Sequence, residues 1–154
     1  MNLDELERVY VEGLPVFRRV AAGITGDREA GRDAVQEAFA TAVRKRRSYR
    51  GDGSIEAWIW QIVVNTARAS QRRSDRRARV NLNAPEHAPA SDSALAIPFD
   101  VLTGRQREVV FLRYFADLTY DESAGILGIA HGTVAATLSG AHSALRQAMQ
   151  EARA

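Results

Sequence analysis

The sequence predicts an all-α protein of two small helical domains joined by a flexible linker. Apolar residues recur at helical spacing through most of the 154 residues, no alternating strand pattern persists, and one proline-containing stretch interrupts the periodicity.

Residues 3–24 read as an amphipathic helix that Pro15 can kink, because proline lacks a backbone donor and clashes with the preceding turn. A second helix is expected from an N-cap at Asp27 to about Arg47. Its apolar stripe is Val35, Ala38, Phe39 and Ala42, and Asp33, Gln36, Glu37 and Ala40 fall on the opposite side. A turn over Ser48–Gly53 precedes a third helix, capped by Ser54 and ending near Arg79, whose buried face is expected at Ile55, Trp58, Ile59, Ile62, Val63 and Thr66 or Ala67. Residues 80–100 contain Pro85, Pro89 and Pro98 and no basic group, which marks a linker between domains at 1–79 and 101–154.

In the second domain a helix is expected over 104–116. Thr119 and Glu122 have capping-box spacing, and Gly128 suits the left-handed stop of the short helix they open. A longer helix follows from Gly132-Thr133 to about Glu151, with Val134, Leu138, Ala141, Leu145 and Ala148 or Met149 inward. A short helix, a glycine turn and a longer helix fit a helix-turn-helix, or equally an ordinary helical hairpin.

Charge narrows the function. The net charge of +2 hides a division: −3 over residues 1–43, +8 over 44–79, −3 over 80–100 and zero over 101–154. Twenty of the 21 basic residues are Arg, whose planar fork suits phosphates and base edges. The basic segment reads as a surface for an anionic partner, nucleic acid before membrane, with a solvated charged face as the alternative.

Several classes find no support. The absence of cysteine removes disulfides, thiolate metal sites and thiol nucleophiles, and fits a reducing compartment, so a cytoplasmic location without a membrane span is expected. His131 and His142 stand about 16 Å apart along a helix, too far to share a metal. There is no phosphate-binding glycine loop. No catalytic residue, metal or cofactor is therefore expected.

The stretches DAVQEAFATAVRKRRSYRGDGSIEAWIWQIVVNTAR (33–68) and LTGRQREVVFLRYFADLTYDESAGILGIAHGTVAATLSGAHSALR (102–146) resemble conserved regions 2 and 4 of the extracytoplasmic-function (ECF) group of sigma-70 factors. The resemblance spans about half the chain, in the family's order. It implies a subunit that binds bacterial core RNA polymerase, recognises two elements of promoter DNA and helps melt the duplex, without being an enzyme itself. It also implies an anti-sigma factor or another protein regulator as a candidate partner.

The resemblance places polymerase docking at Asp33, Gln36 and Glu37, the exposed face of the second helix. The repulsive Asp33/Glu37 pair there would be relieved by a basic partner, although simple exposure to solvent explains it as well. The −10 element falls to Tyr49, Arg50, Trp60 and Asn65 around a base pocket, with Arg68, Arg72, Arg73 and Arg76 holding phosphates. Trp58 is expected in the core. The flank bearing Trp60, Val64 and Arg68 either meets DNA or packs on the first helix.

Region 4 departs from the family where sequence is read, because the outward positions of the recognition helix carry no Lys or Arg before Arg146. Two expectations follow. Either −35 DNA is held weakly, by Arg105, Arg107, Arg113 and Arg146 on phosphates with Thr133, Thr137 and Ser139 in contact, or the smooth face of Ala136, Gly140, Ser143 and Gln147 binds protein. A sigma-like regulatory adaptor acting mainly through protein contacts is the alternative function.

Overall fold

The computed structural model describes residues 1–80 and 98–153, which form six α-helices and no strand. The chain divides into two compact units, Met1–Pro89 and Ala90–Ala154. Most of the linker expected over 80–100, residues 81–97, lies outside the described residues.

The first unit is a three-helix bundle of α1 (Leu3–Thr25), α2 (Arg28–Lys45) and α3 (Ile55–Val80). A capping box not anticipated from sequence opens α1: the Glu5 amide donates to Asn2 Oδ1 at 2.8 Å, and the Asn2 amide donates to Glu5 Oε2 at 2.9 Å. The helix continues through Pro15. It ends at Gly26, whose φ of +76° is a left-handed conformation that favours glycine. Asp27 then caps α2 by accepting from the Ala30 amide at 2.8 Å.

Gly31 lies where α2 crosses the end of α1, and a Cβ there would sit 2.5 Å from the Ala22 backbone nitrogen. Only glycine allows this approach. The buried core includes Phe17, Val20, Val35, Phe39, Ile59, Trp60 and Val63. Phe17 is its hub, with ring centroids 5.2 Å from Phe39 and 4.5 Å from Trp60. Val35, Ala38, Phe39 and Ala42 are buried, as the spacing predicts.

The second unit begins before residue 101. A 3-10 turn at Phe99–Val101 packs Phe99 against Phe111, centroids 5.2 Å apart, so Phe99 belongs to this core rather than to the linker. Helix α4 (Gly104–Tyr114) opens with a Thr103/Gln106 capping box and stops two residues short of the expected end, ahead of Asp117 at φ +54°. Helix α5 (Tyr120–Leu127) has the anticipated Thr119/Glu122 box, and Gly128 closes it at φ +67°. Helix α6 (His131–Arg153) follows at 101° to α5, within the range of a helix-turn-helix. Val134, Leu138 and Ala141 are buried and Ala148 half-buried, whereas Met149 is exposed. Among the described residues no single helix is long and apolar enough to cross a membrane.

Candidate nucleic-acid interface

The exposed side of α2 carries Asp33, Gln36, Glu37 and Ala40 together, because one helical face is consumed by the bundle core. Gln36 and Ala40 border an open apolar groove whose other wall is Leu3, Leu6 and Tyr10 of α1. At the opposite edge of this acidic face, Glu37 Oε2 lies 3.6 Å from Arg73 Nη2 of α3. Negative and positive surfaces therefore adjoin.

On α3 the buried residues are Ile59, Trp60, Val63, Val64 and Ala67, a stripe rotated from the one the sequence predicts. Trp60, expected at the DNA-facing flank, is 5% exposed and packs on Phe17, so the α1-packing alternative holds and Trp60 cannot stack on a base. Trp58 changes places with it. It is half-buried, with its ring 5.7 Å from that of Tyr49, whose hydroxyl donates to the Gly53 carbonyl at 2.7 Å. The cause is tertiary: α3 is gripped by both α1 and α2, and the ring of Phe17 selects the indole one turn face away from the expected stripe.

At about 100° per residue, Trp58, Asn65, Arg72 and Arg76 fall within about 40° of one another on the outward side of α3. Asn65, Arg72 and Arg76 are exposed. Arg68 is half-buried on the edge of this stripe, Arg73 leans towards Glu37, and Arg50 is exposed in the turn beside Tyr49. An aromatic end and an arginine end thus share one helical face, about 21 Å apart at about 1.5 Å per residue. That combination suits stacking on bases and neutralising phosphates along one strand.

The second unit is built differently. The Arg105 guanidinium is 3.7 Å from Glu108, Arg113 is 3.5 Å from Asp117, and Arg107 donates to the Leu102 carbonyl at 3.4 Å. Three of the four arginines expected to hold phosphate are thus engaged within the unit, while Arg146 is exposed. Thr133 and Ser139 are exposed and Thr137 half-buried. By helical spacing Thr133 and Thr137 lie on one flank of α6, and Ser139 and Arg146 on the other, with Ala136 and Ser143 between. Gly140 has a neighbour already, since a Cβ there would meet Gln106 Nε2 of α4 at 3.3 Å. His131 bonds Asp121 at 2.5 Å and His142 bonds the Tyr114 hydroxyl at 2.7 Å.

Residues 9–77 match the family profile of Sigma-70 region 2, and residues 99–145 that of Sigma-70, region 4. The chain is 30% identical over 139 residues to the ECF RNA polymerase sigma-E factor of Escherichia coli (strain K12), covering 77% of this chain and 73% of that protein. The chain belongs to the ECF sigma factors of the sigma-70 family. Its function is that of an RNA polymerase sigma factor. It is also 27% identical over 145 residues to the RNA polymerase sigma-H factor of Pseudomonas aeruginosa, covering 80% of this chain and 75% of that one. In fold it is similar to the sigma factor RpoE solved in complex with the anti-sigma factor NepR from Bartonella quintana, with a TM-score of 0.82 at 21% identity over 96% of this chain and 98% of that chain.

Two features of this sigma factor escaped the sequence reading. Trp58 as the accessible indole follows only from the packing of Phe17. The groove beside Gln36 needs the pairing of α1 with α2; a hint was available in Leu3, Tyr10 and Val43, apolar residues left over once each helix has filled its buried stripe.

Proposed function

We propose that the first unit seats this sigma factor on core RNA polymerase through Asp33, Gln36 and Glu37, and engages the −10 element through the outward stripe of α3. The observation that carries the reading is that stripe: Trp58, Asn65, Arg72 and Arg76 on one helix face, continued by Tyr49 and Arg50 and bordered by Arg68 and Arg73. Trp58 and Tyr49 supply stacking for bases leaving the duplex, which recovers part of the few kcal/mol that extrusion costs. The arginines supply phosphate contacts that fix register. On the other side of the Glu37–Arg73 pair, the acidic face and the groove beside Gln36 offer a basic, partly apolar partner both charge complementarity and area to bury.

For the second unit we propose weak −35 contact by Arg146, Thr133, Thr137 and Ser139, with Arg105 and Arg107 contributing only after their present partners are exchanged for phosphate. The short side chains on α6 support a second reading, in which this unit works through a protein regulator such as an anti-sigma factor and the chain acts as an adaptor. The chain supplies binding and duplex opening, catalysis belongs to the polymerase, and the working location is the cytoplasm.

In vitro transcription with core polymerase on a genomic library tests the proposal. Promoter-specific transcripts are expected from the wild type, fewer from Asp33→Arg through lost assembly, and fewer from Arg72→Ala/Arg76→Ala through lost DNA contact. No promoter-specific transcript from the wild type sinks the reading in favour of the adaptor.

A further inference from the structure

Helix α6 is the second helix of the helix-turn-helix, and its open side is defined by what the rest of the unit covers. Val134, Leu138 and Ala141 are buried, and α4 takes both flanks, with Gln106 against Gly140 and the Tyr114 hydroxyl 2.7 Å from His142 Nε2. At about 100° per residue, Ala136 and Ser143 lie about 180° from the buried stripe, flanked by Thr133 and Ser139. All four are exposed.

The chemistry of that side is unusual for a helix that reads DNA. From Gly132 to Leu145 there is no Arg, Lys, Asn, Gln, Asp or Glu. In the major groove guanine presents two acceptors, adenine an amine beside an acceptor and cytosine a single amine, and each is read best by one of these absent side chains. His131 and His142 do not replace them, because His131 is bonded to Asp121 and His142 to Tyr114. Arg146 lies ten residues beyond Ala136, about 15 Å along the axis, where it serves a phosphate rather than the same base pairs.

One feature of the base edges remains that small side chains do read. The C5-methyl group of thymine packs against the methyl groups of Ala and Thr. Ala136 and Thr133 both present a methyl group on the open side. At a spacing of i, i+3 their Cβ atoms stand about 5–6 Å apart, close enough to meet neighbouring base pairs stacked about 3.4 Å apart. The short side chains around them let the helix backbone approach the groove floor, which so short a contact needs.

We propose that Thr133 and Ala136 are the specificity-determining residues of the second unit, and that they select the methyl groups of two neighbouring thymines. The −35 element of this sigma factor is then defined at those positions by A·T pairs and not by guanine. This rests on the reading of the second unit as a −35 contact and deepens it by naming what is read. Ser139 and Ser143 add little discrimination, since a hydroxyl donates or accepts with either partner.

The test uses the full chain assembled with core polymerase and a promoter fragment recovered from the genomic library, with its −35 segment randomised. Selection for binding is expected to enrich thymine at two neighbouring positions of one strand. Deoxyuridine at those positions removes the methyl groups and leaves base pairing intact, and is expected to weaken binding about fourfold for each methyl lost. Ala136→Gly should abolish the difference between thymine and deoxyuridine at one of the two positions, and Ala136→Arg should shift selection there towards guanine. Enrichment of guanine by the wild type overturns the proposal, as does a deoxyuridine fragment bound as tightly as the thymine fragment. The deoxyuridine comparison is made on the wild-type chain, so it decides whether or not the variants fold. Failure of the underlying reading has a different signature: binding then tolerates every −35 sequence and Arg146→Ala alike, which removes the −35 contact itself and assigns the second unit to a protein regulator.

Discussion

Glu37 and Arg73 face each other across α2 and α3 at 3.6 Å, joining the acidic surface of one helix to the arginine surface of the next. Both side chains are about half exposed, so the pair adds less than about 1 kcal/mol to folding. Its weight is functional, because each residue also faces a partner of opposite charge under the proposed assembly. Glu37→Gln is expected to leave thermal unfolding nearly unchanged while weakening assembly with core polymerase by about tenfold, about 1.4 kcal/mol. Unfolding scans beside a polymerase titration check this; a large stability loss with normal assembly would falsify the assignment of Glu37 to docking.

The two tryptophans should separate cleanly. Trp60→Ala empties a site against Phe17 and is expected to cost about 3–5 kcal/mol of stability. Trp58→Ala removes a half-buried ring, costs less, and is expected to cut binding to pre-melted promoter DNA by about 1–3 kcal/mol. Denaturant titration and DNA binding by the holoenzyme measure the two quantities separately. The reverse ranking in both assays contradicts the account.

Gly31 is the tightest point of the bundle. A methyl group at that position meets Ala22 backbone atoms at 2.5 and 2.6 Å, which no rotamer change relieves. Gly31→Ala should therefore lose about 1–3 kcal/mol or more despite alanine's higher helix propensity. Full stability in the variant means α1 and α2 do not cross as described.

Ser123 presents the opposite case. It is 1% exposed inside the second unit and its hydroxyl has no hydrogen-bond partner. An unpaired buried hydroxyl costs about 1–3 kcal/mol, so Ser123→Ala is expected to stabilise this unit by about 1 kcal/mol. Amide hydrogen exchange across α4–α6, read within the full chain, should show about fivefold greater protection. Lower protection would mean that the hydroxyl is satisfied.

Much was legible from the sequence because it depends on neighbours three or four residues away. The capping box at Thr119/Glu122, the left-handed stop at Gly128, the buried stripe of α2 and the exposed Asp33, Gln36 and Glu37 are local consequences of helix geometry. The order of the two resembling regions carried the family. The charge division between segments was likewise complete in the sequence, and it placed the basic surface in the first unit.

What periodicity could not choose was the rotation of α3 against two other helices. Ile55, Trp58, Ile59 and Ile62 make a good stripe, and so do Ile59, Trp60, Val63, Val64 and Ala67. A helix with apolar residues around so much of its circumference lets its partners decide, and Phe17 together with Phe39 decided for Trp60. The same holds for the arginines of the second unit: the sequence determined their number, while the fold paired Arg105 and Arg113 with carboxylates and turned Arg107 onto a carbonyl. Local hydrogen bonding and amphipathicity therefore determined the helices, the two units and the family. Only close packing, which has one solution for each set of facing side chains, determined which indole is buried, which stays accessible, and which charges are engaged within their own unit.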